Sequence, residues 1–197
     1  MYTLLLDSSD KDLIVGLAKD GVLIQKVNYL AWQRQSEYMI PEIQKILANE
    51  DISLMDIDNV ALGIGPGSYT WVRIPLAIAK TLNVISNVDI IPLSSLCIMG
   101  NTQERYIALI NARSNRSYIG IYDMGKQVIE DQVIVNDEIY DFIAPYVEQG
   151  FTIKGDLSYL NLGIEVKPDI LDGLLSYSLI TLPSENPKAI KPIYLKD

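Results

Sequence analysis

Two short segments hold the residues best suited to chemistry. Asp7-Ser8-Ser9 ends one apolar run, and Gly65-Pro66-Gly67-Ser68 separates another from a helical pattern. A carboxylate at a strand end, beside hydroxyls, can hold a metal-bound phosphate. Glycines at a helix start let backbone N–H groups converge on an anion. Asp7, Ser8, Gly65, Gly67 and Ser68 therefore read together as a vestigial phosphate site. The turn is no Walker A loop, because no Gly-Lys-Ser/Thr follows. Pro66 also removes a donor that a dinucleotide fingerprint needs. The same residues equally suit a sharp strand-to-helix turn capped by Ser68, and Asp7 a polar strand end capping its own turn. Phosphate work in a two-lobed fold calls for a second carboxylate at the matching strand end, and Asn111-Ala112-Arg113 stands there instead.

The 197-residue composition removes other chemistries. The chain has no histidine, which excludes Ser-His-Asp and Cys-His nucleophilic systems, His-ligated zinc and a His general base. Cys97 is the only cysteine, so neither an intrachain disulfide framework nor a thiolate metal cluster is available. No metal site and no catalytic residue is assigned. The net charge of −9 is the wrong sign for a chain that grips nucleic-acid phosphates itself. No run of 18 apolar residues predicts a membrane span, and Asp7 interrupts the opening apolar run too early for a signal peptide. These features predict a cytoplasmic protein.

The elements that would position these residues follow from periodicity. Thr3–Leu6 reads as a strand. Leu13–Ala18 and Val22–Tyr29 flank Asp20-Gly21 and read as a hairpin. A helix follows, with Ser36 as N-cap and Met39, Ile40, Ile43, Ile46 and Leu47 at helical spacing; Pro41 sits early, where it distorts least. Ser53 to Asp56 resembles a capping box. Asn59–Gly65 is a buried strand, a second helix spans about Thr70 to Val84, and Asp89–Pro92 is a parallel strand. A similar order then repeats: strands at 106–110, 117–122 and 126–135, a helix from about Asp137 to Val147, and a strand at 151–155. Two βββαβ-type halves predict an α/β fold of the ribonuclease-H-like, actin-like ATPase architecture with mixed sheets. The halves divide at residue 93, giving 1–93 and a shortened 94–197. The tail from Asn161 is weakly patterned and is expected along the surface of the second half.

The second helix carries Trp71, Val72, Ile74, Leu76, Ala77, Ile78, Ala79 and Leu82 around its circumference. An all-round apolar helix is covered on every side. One face meets the sheet, and the other meets either the second half or a partner. Trp32, Tyr38 and Met39, types enriched in interface cores, lie on or just before the first helix.

At these residues the chain resembles the TsaB (YeaZ) family. Asp7-Ser8-Ser9 is similar to its Asp-Thr-Ser/Ala start, and Ser36 to Pro41 to its His-Ser-x-x-Leu-Leu-Pro helix. Gly65 to Ile74 resembles its Gly-Pro-Gly-Ser-Phe-Thr-Gly-Leu/Val-Arg-Ile signature, the most specific match. Leu93 to Leu96, Asn111 to Arg113 and Pro192 to Lys196 resemble further family motifs. The resemblance covers nearly the whole chain. It implies a degenerate, cofactor-free member of the actin-like ATPase fold that forms a heterodimer with TsaD. TsaD holds metal, threonylcarbamoyl-adenylate and tRNA, and the complex modifies the adenosine beside the anticodon. The ATPase TsaE joins, tRNA is met only through the complex, and the isolated subunit can pair with itself. The implied partner-binding residues are Gln35, Ser36, Met39, Ile40, Ile43, Tyr69, Trp71, Val72, Ile74, Pro75 and Ile78. Gln35 stands where the family usually has histidine, Trp71 where it has glycine, and Pro75 where it has another small residue. The competing class is an active ATPase or sugar-kinase-like enzyme of the same fold. A peptidase, lacking histidine and a metal set, is disfavoured.

Overall fold

The computed structural model describes residues 1–155, 157–160 and 167–195. Strands β1 (Tyr2–Asp7), β2 (Asp12–Lys19), β3 (Val22–Leu30), β4 (Asn59–Gly63) and β5 (Asp89–Leu93) form one sheet in the order β3-β2-β1-β4-β5. β1 pairs antiparallel with β2 and parallel with β4, so the sheet is mixed. Strands β6 (Arg105–Arg113), β7 (Arg116–Asp123), β8 (Lys126–Val135) and β9 (Thr152–Lys154) repeat the pattern as β8-β7-β6-β9. The Asp20-Gly21 hairpin is present, with both residues at positive φ as a tight turn of this kind requires. This is the ribonuclease-H-like, actin-like architecture expected from the element order.

The alternation of side chains along β1 explains the layering. Leu4 and Leu6 face helices α1 (Gln35–Asn49) and α2 (Arg73–Ser86), sharing a core with Met39, Ile43, Ile46, Leu76, Ala79 and Leu82. Leu5 faces the other way, into a cluster with Ile14, Ala61, Tyr106 and Tyr122 that joins the two sheets. The far face of the second sheet packs Ile107, Leu109 and Ile119 against Ile139 and Ile143 of α3 (Ile139–Glu148).

Three local readings need correction. Ser36 is not the N-cap of α1: the helix starts at Gln35 after Arg34, with no side-chain cap. Gln35 is drawn inward, where Nε2 reaches the carbonyls of Asp10 and Lys11, both at 3.3 Å. Ser68 does not cap α2 through its hydroxyl either. Val72 takes that place, and its N–H donates to the Ser68 carbonyl at 3.1 Å across a turn that delays the helix to Arg73. Ser53 does form its capping box with Asp56, on a single 3-10 turn.

The third correction concerns the tail. Of the segment expected on the second half, residues 161–166 and 196–197 lie outside the described residues. The rest returns to the first half. Helix α4 (Ile170–Ser178) buries Leu171, Leu174 and Tyr177 in the cluster between the sheets. Ser184 N–H then bonds the Ile90 carbonyl at 2.8 Å, and Ile193 N–H bonds the Ile64 carbonyl at 2.7 Å. Ile190 is buried in the α1–α2 core. Residues 184–195 are therefore a strap across the first half. Among the described residues, no helix is long and apolar enough to cross a membrane.

Gly173 tests how α4 docks. A methyl group there would collide with the Ile98 carbonyl, a backbone atom that cannot swing aside. Gly173→Ala should therefore cost roughly 1–3 kcal/mol of stability, as overpacking does. Urea unfolding measures this, and an unchanged midpoint would contradict the tail's placement.

Candidate functional site

The β1 end and the Gly65–Ser68 turn do come together. Ser68 N–H donates to the Ser9 carbonyl at 3.0 Å. The place a Gly67 side chain would occupy is 2.8 Å from that same oxygen, so only glycine fits. Gly65, at φ +104°, has the Ile193 carbonyl 2.7 Å from the corresponding point. Gly65 N–H donates to Ser95 Oγ at 3.1 Å. The Gly65 and Ser68 donors that could have met an anion are thus engaged by the chain itself.

Asp7 lies beneath this junction and is 3% exposed. One carboxylate oxygen, Oδ2, accepts from Ser9 N–H and Ser9 Oγ, both at 3.0 Å. The other, Oδ1, presses against Gly63 and has no protein hydrogen-bond partner. Ser8 Oγ donates to the Trp71 carbonyl at 2.8 Å, tying β1 to the start of α2. At the matching end of the second sheet, Asn111 Oδ1 accepts from Arg113 N–H at 2.8 Å and shapes the β6–β7 turn.

The expected partner-binding residues divide by depth. Gln35, Met39, Ile43, Val72 and Pro75 are buried within the chain. They cannot offer their side chains to a partner, because the α1 and α2 faces that carry them pack inward. Ser36, Ile40 and Tyr69 are exposed, while Trp71, Ile74 and Ile78 are half-buried. Ile40 on α1 is 52% exposed, and Ala77, Val84 and Ile85 are exposed on α2. The all-round apolar character of α2 therefore leaves one face open. Trp71 is met by Trp32, ring edge to face at 5.7 Å between centroids.

Two residues absent from the expected set belong to this surface. Arg73 and Tyr194 pack with Tyr69: the Tyr69 and Tyr194 rings stack at 4.9 Å, and the Arg73 guanidinium lies 3.9 Å from the Tyr69 centroid. Arg73 stands in the Gly65–Ile74 motif and Tyr194 in the terminal one, so the motifs marked them. Their adjacency, 121 positions apart, is a product of the strap.

Burial pushes the Asp7 carboxyl up to about 6, with Asp10 and Asp12 adding repulsion and the Ser9 bonds opposing it. The folded state thus holds a proton that the unfolded chain has released above its ordinary value of 3.8. The Asp7 contribution to stability falls as pH rises from 3.8 to about 6, and the penalty persists above that. At its largest the penalty is roughly 3 kcal/mol. Asp7→Asn should therefore stabilise the chain at neutral pH, and the gain over wild type should shrink as pH falls through this window. Melting of both proteins against pH measures it. A gain that is absent, or that grows on acidification, would contradict the buried charge.

The sequence profile of the family described as TsaD, tRNA N6-adenosine threonylcarbamoyltransferase, matches residues 27–170. The chain is 33% identical over 136 residues to the tRNA threonylcarbamoyladenosine biosynthesis protein TsaB of Haemophilus influenzae, covering 66% of this chain and 55% of that protein. It is 30% identical to the Bacillus subtilis TsaB, covering 68% and 62%. These matches thus span less than two thirds of either relative's length. A solved Pseudomonas aeruginosa structure, described as an uncharacterized protein with similarity to the peptidase YeaZ, superposes with a TM-score of 0.77. It is 21% identical and covers 99% of both chains, a likeness of fold. With that profile matched over most of the sequence and TsaB proteins among its relatives at 30–33% identity, the chain belongs to the TsaB/YeaZ family.

Proposed function

We propose that the chain is a non-catalytic, cytoplasmic subunit that docks on TsaD and supports its transfer of a threonylcarbamoyl group to the tRNA adenosine next to the anticodon. TsaE joins the assembly, and tRNA is met only through it. The observation that carries this reading is the filled turn. A phosphate loop keeps its N–H groups convergent and free; here Ser68 N–H is spent on the Ser9 carbonyl and Gly65 N–H on Ser95. The turn instead anchors the start of α2 against the end of β1.

The open face of α1 and α2 supports the same reading. Ile40 on α1 and Ala77, Val84 and Ile85 on α2 are exposed apolar residues of the kind a partner covers. In the absence of TsaD, the same face lets two copies pair. Gln35 serves as a hydrogen-bonding staple between α1 and the β1–β2 loop, which needs no acid–base chemistry. The competing reading, an active ATPase or sugar-kinase-like enzyme, draws on the nearness of Asp7 to the glycine turn and on its unpartnered Oδ1.

Calorimetric titration with TsaD from the same organism separates the two. Wild type should bind, and Ile40→Asp and Ala77→Asp, both at exposed positions, should each weaken binding by about tenfold or more. Val128→Asp, on the remote β8, should change nothing. Wild type that does not bind, or helix variants that bind equally well, would overturn the docking reading. Tight magnesium-dependent ATP binding by the isolated chain would favour the enzyme.

A further inference from the structure

Arg73 is placed against the electrostatics of its own helix. It is the first residue of α2, where aligned peptide dipoles favour an anion and disfavour a cation. No carboxylate among the described residues pairs with it, although acidic residues outnumber basic ones 25 to 16. Its polar partners are neutral phenols. Nε donates to the Tyr194 hydroxyl at 2.8 Å, and the guanidinium lies on the Tyr69 ring. The charge is therefore exposed and unneutralised.

It is also held in place. Tyr194 comes from the strap, and the strap is fixed to α2 and β4. Lys80 Nζ donates to the Lys188 and Ile190 carbonyls at 3.0 and 2.7 Å, and Ile193 N–H bonds Ile64. A stacked, immobilised guanidinium loses little entropy when it meets a planar anion. It sits at the start of the helix whose Ile74, Ala77 and Ile78 border or form the open apolar face. A charge at the edge of an apolar patch sets register and orientation when a partner docks.

We propose that Arg73, presented by Tyr69 and Tyr194, receives an Asp or Glu carboxylate of the docked transferase subunit, so that the strap is part of the docking surface. This rests on the docking reading above. A protein carboxylate fits better than an RNA phosphate, because the net charge of −9 repels a polyanion. The apolar neighbours of Arg73 complement a protein surface.

The test is calorimetric titration of Arg73→Gln, Arg73→Lys and Tyr194→Phe with the transferase subunit, at about 50 mM and about 500 mM NaCl. Arg73→Gln should weaken binding about tenfold at low salt and far less at high salt. Arg73→Lys, which keeps charge but not the planar fork, should recover part of the low-salt affinity. Tyr194→Phe should fall between wild type and Arg73→Gln. Melting of each isolated variant reports whether the strap remains seated. Arg73→Gln that binds like wild type at both salts overturns the inference and leaves docking intact. So does a loss of equal size at both salts with Lys no better than Gln, which marks a purely structural role. A loss confined to tRNA binding by the isolated chain would point to phosphate instead. Wild type that fails to bind the subunit at either salt overturns both readings.

Discussion

Two backbone carbonyls press on one glycine turn, and much of the molecule is arranged around that contact. Ser9 closes against Gly67 and Ser68, and Ile193 closes against Gly65. Neither approach tolerates a side chain. The first joins the end of β1 to the start of α2, and the second brings the C-terminal strap onto the same point. The turn therefore fixes three things at once: where α2 begins, how the β1–β2 loop lies, and where Tyr194 meets Arg73. At this point Ser68 N–H is engaged by the Ser9 carbonyl and Gly65 N–H by Ser95 Oγ.

The consequences run in both directions along the first half. Inward, α1 and α2 bury Met39, Ile43, Leu76, Ala79 and Leu82 on the sheet. Outward, they leave Ile40, Ala77 and Val84 uncovered, with Trp32 and Trp71 at one end. Beneath the turn the structure carries a cost. Asp7 is buried with one oxygen unpartnered, which is unfavourable for an ionised carboxylate. The second half meets the first where α4 fills the cluster between the sheets, and within the second half Ser94 and Tyr122 both donate to Asp131.

Much of this was legible in the sequence, for identifiable reasons. Element order, hairpin and fold class follow from local signals: alternation, Asp20-Gly21, and apolar runs ended by glycine or aspartate. The Ser53 capping box is a purely local exchange, and it is present. Ser36 and Ser68 failed as caps because long-range contacts prevailed. Gln35 turns inward to the Asp10 and Lys11 carbonyls, and the Ser9 carbonyl holds the Ser68 backbone. The strap was illegible for a different reason. Its attachments at Ser184 and Ile193 use backbone N–H groups, and Lys80 bonds backbone carbonyls, none of which leaves a pattern of residue types. Exposure on α1 was only half legible. Helical spacing marks Ile40 and Ile43 alike as apolar, and only packing shows that one is open and the other enclosed.

The docking surface proposed for the first half depends on the turn that seats α2 and the strap. Amide hydrogen exchange of the chain, alone and with the transferase subunit, tests it most directly. Docking should bring new protection over α1, over residues 69–86 and over the strap near Tyr194, with β8 and α3 unchanged. Protection confined to the second sheet, or no change anywhere on α1 and α2 when both proteins are mixed at saturating concentration, would contradict it.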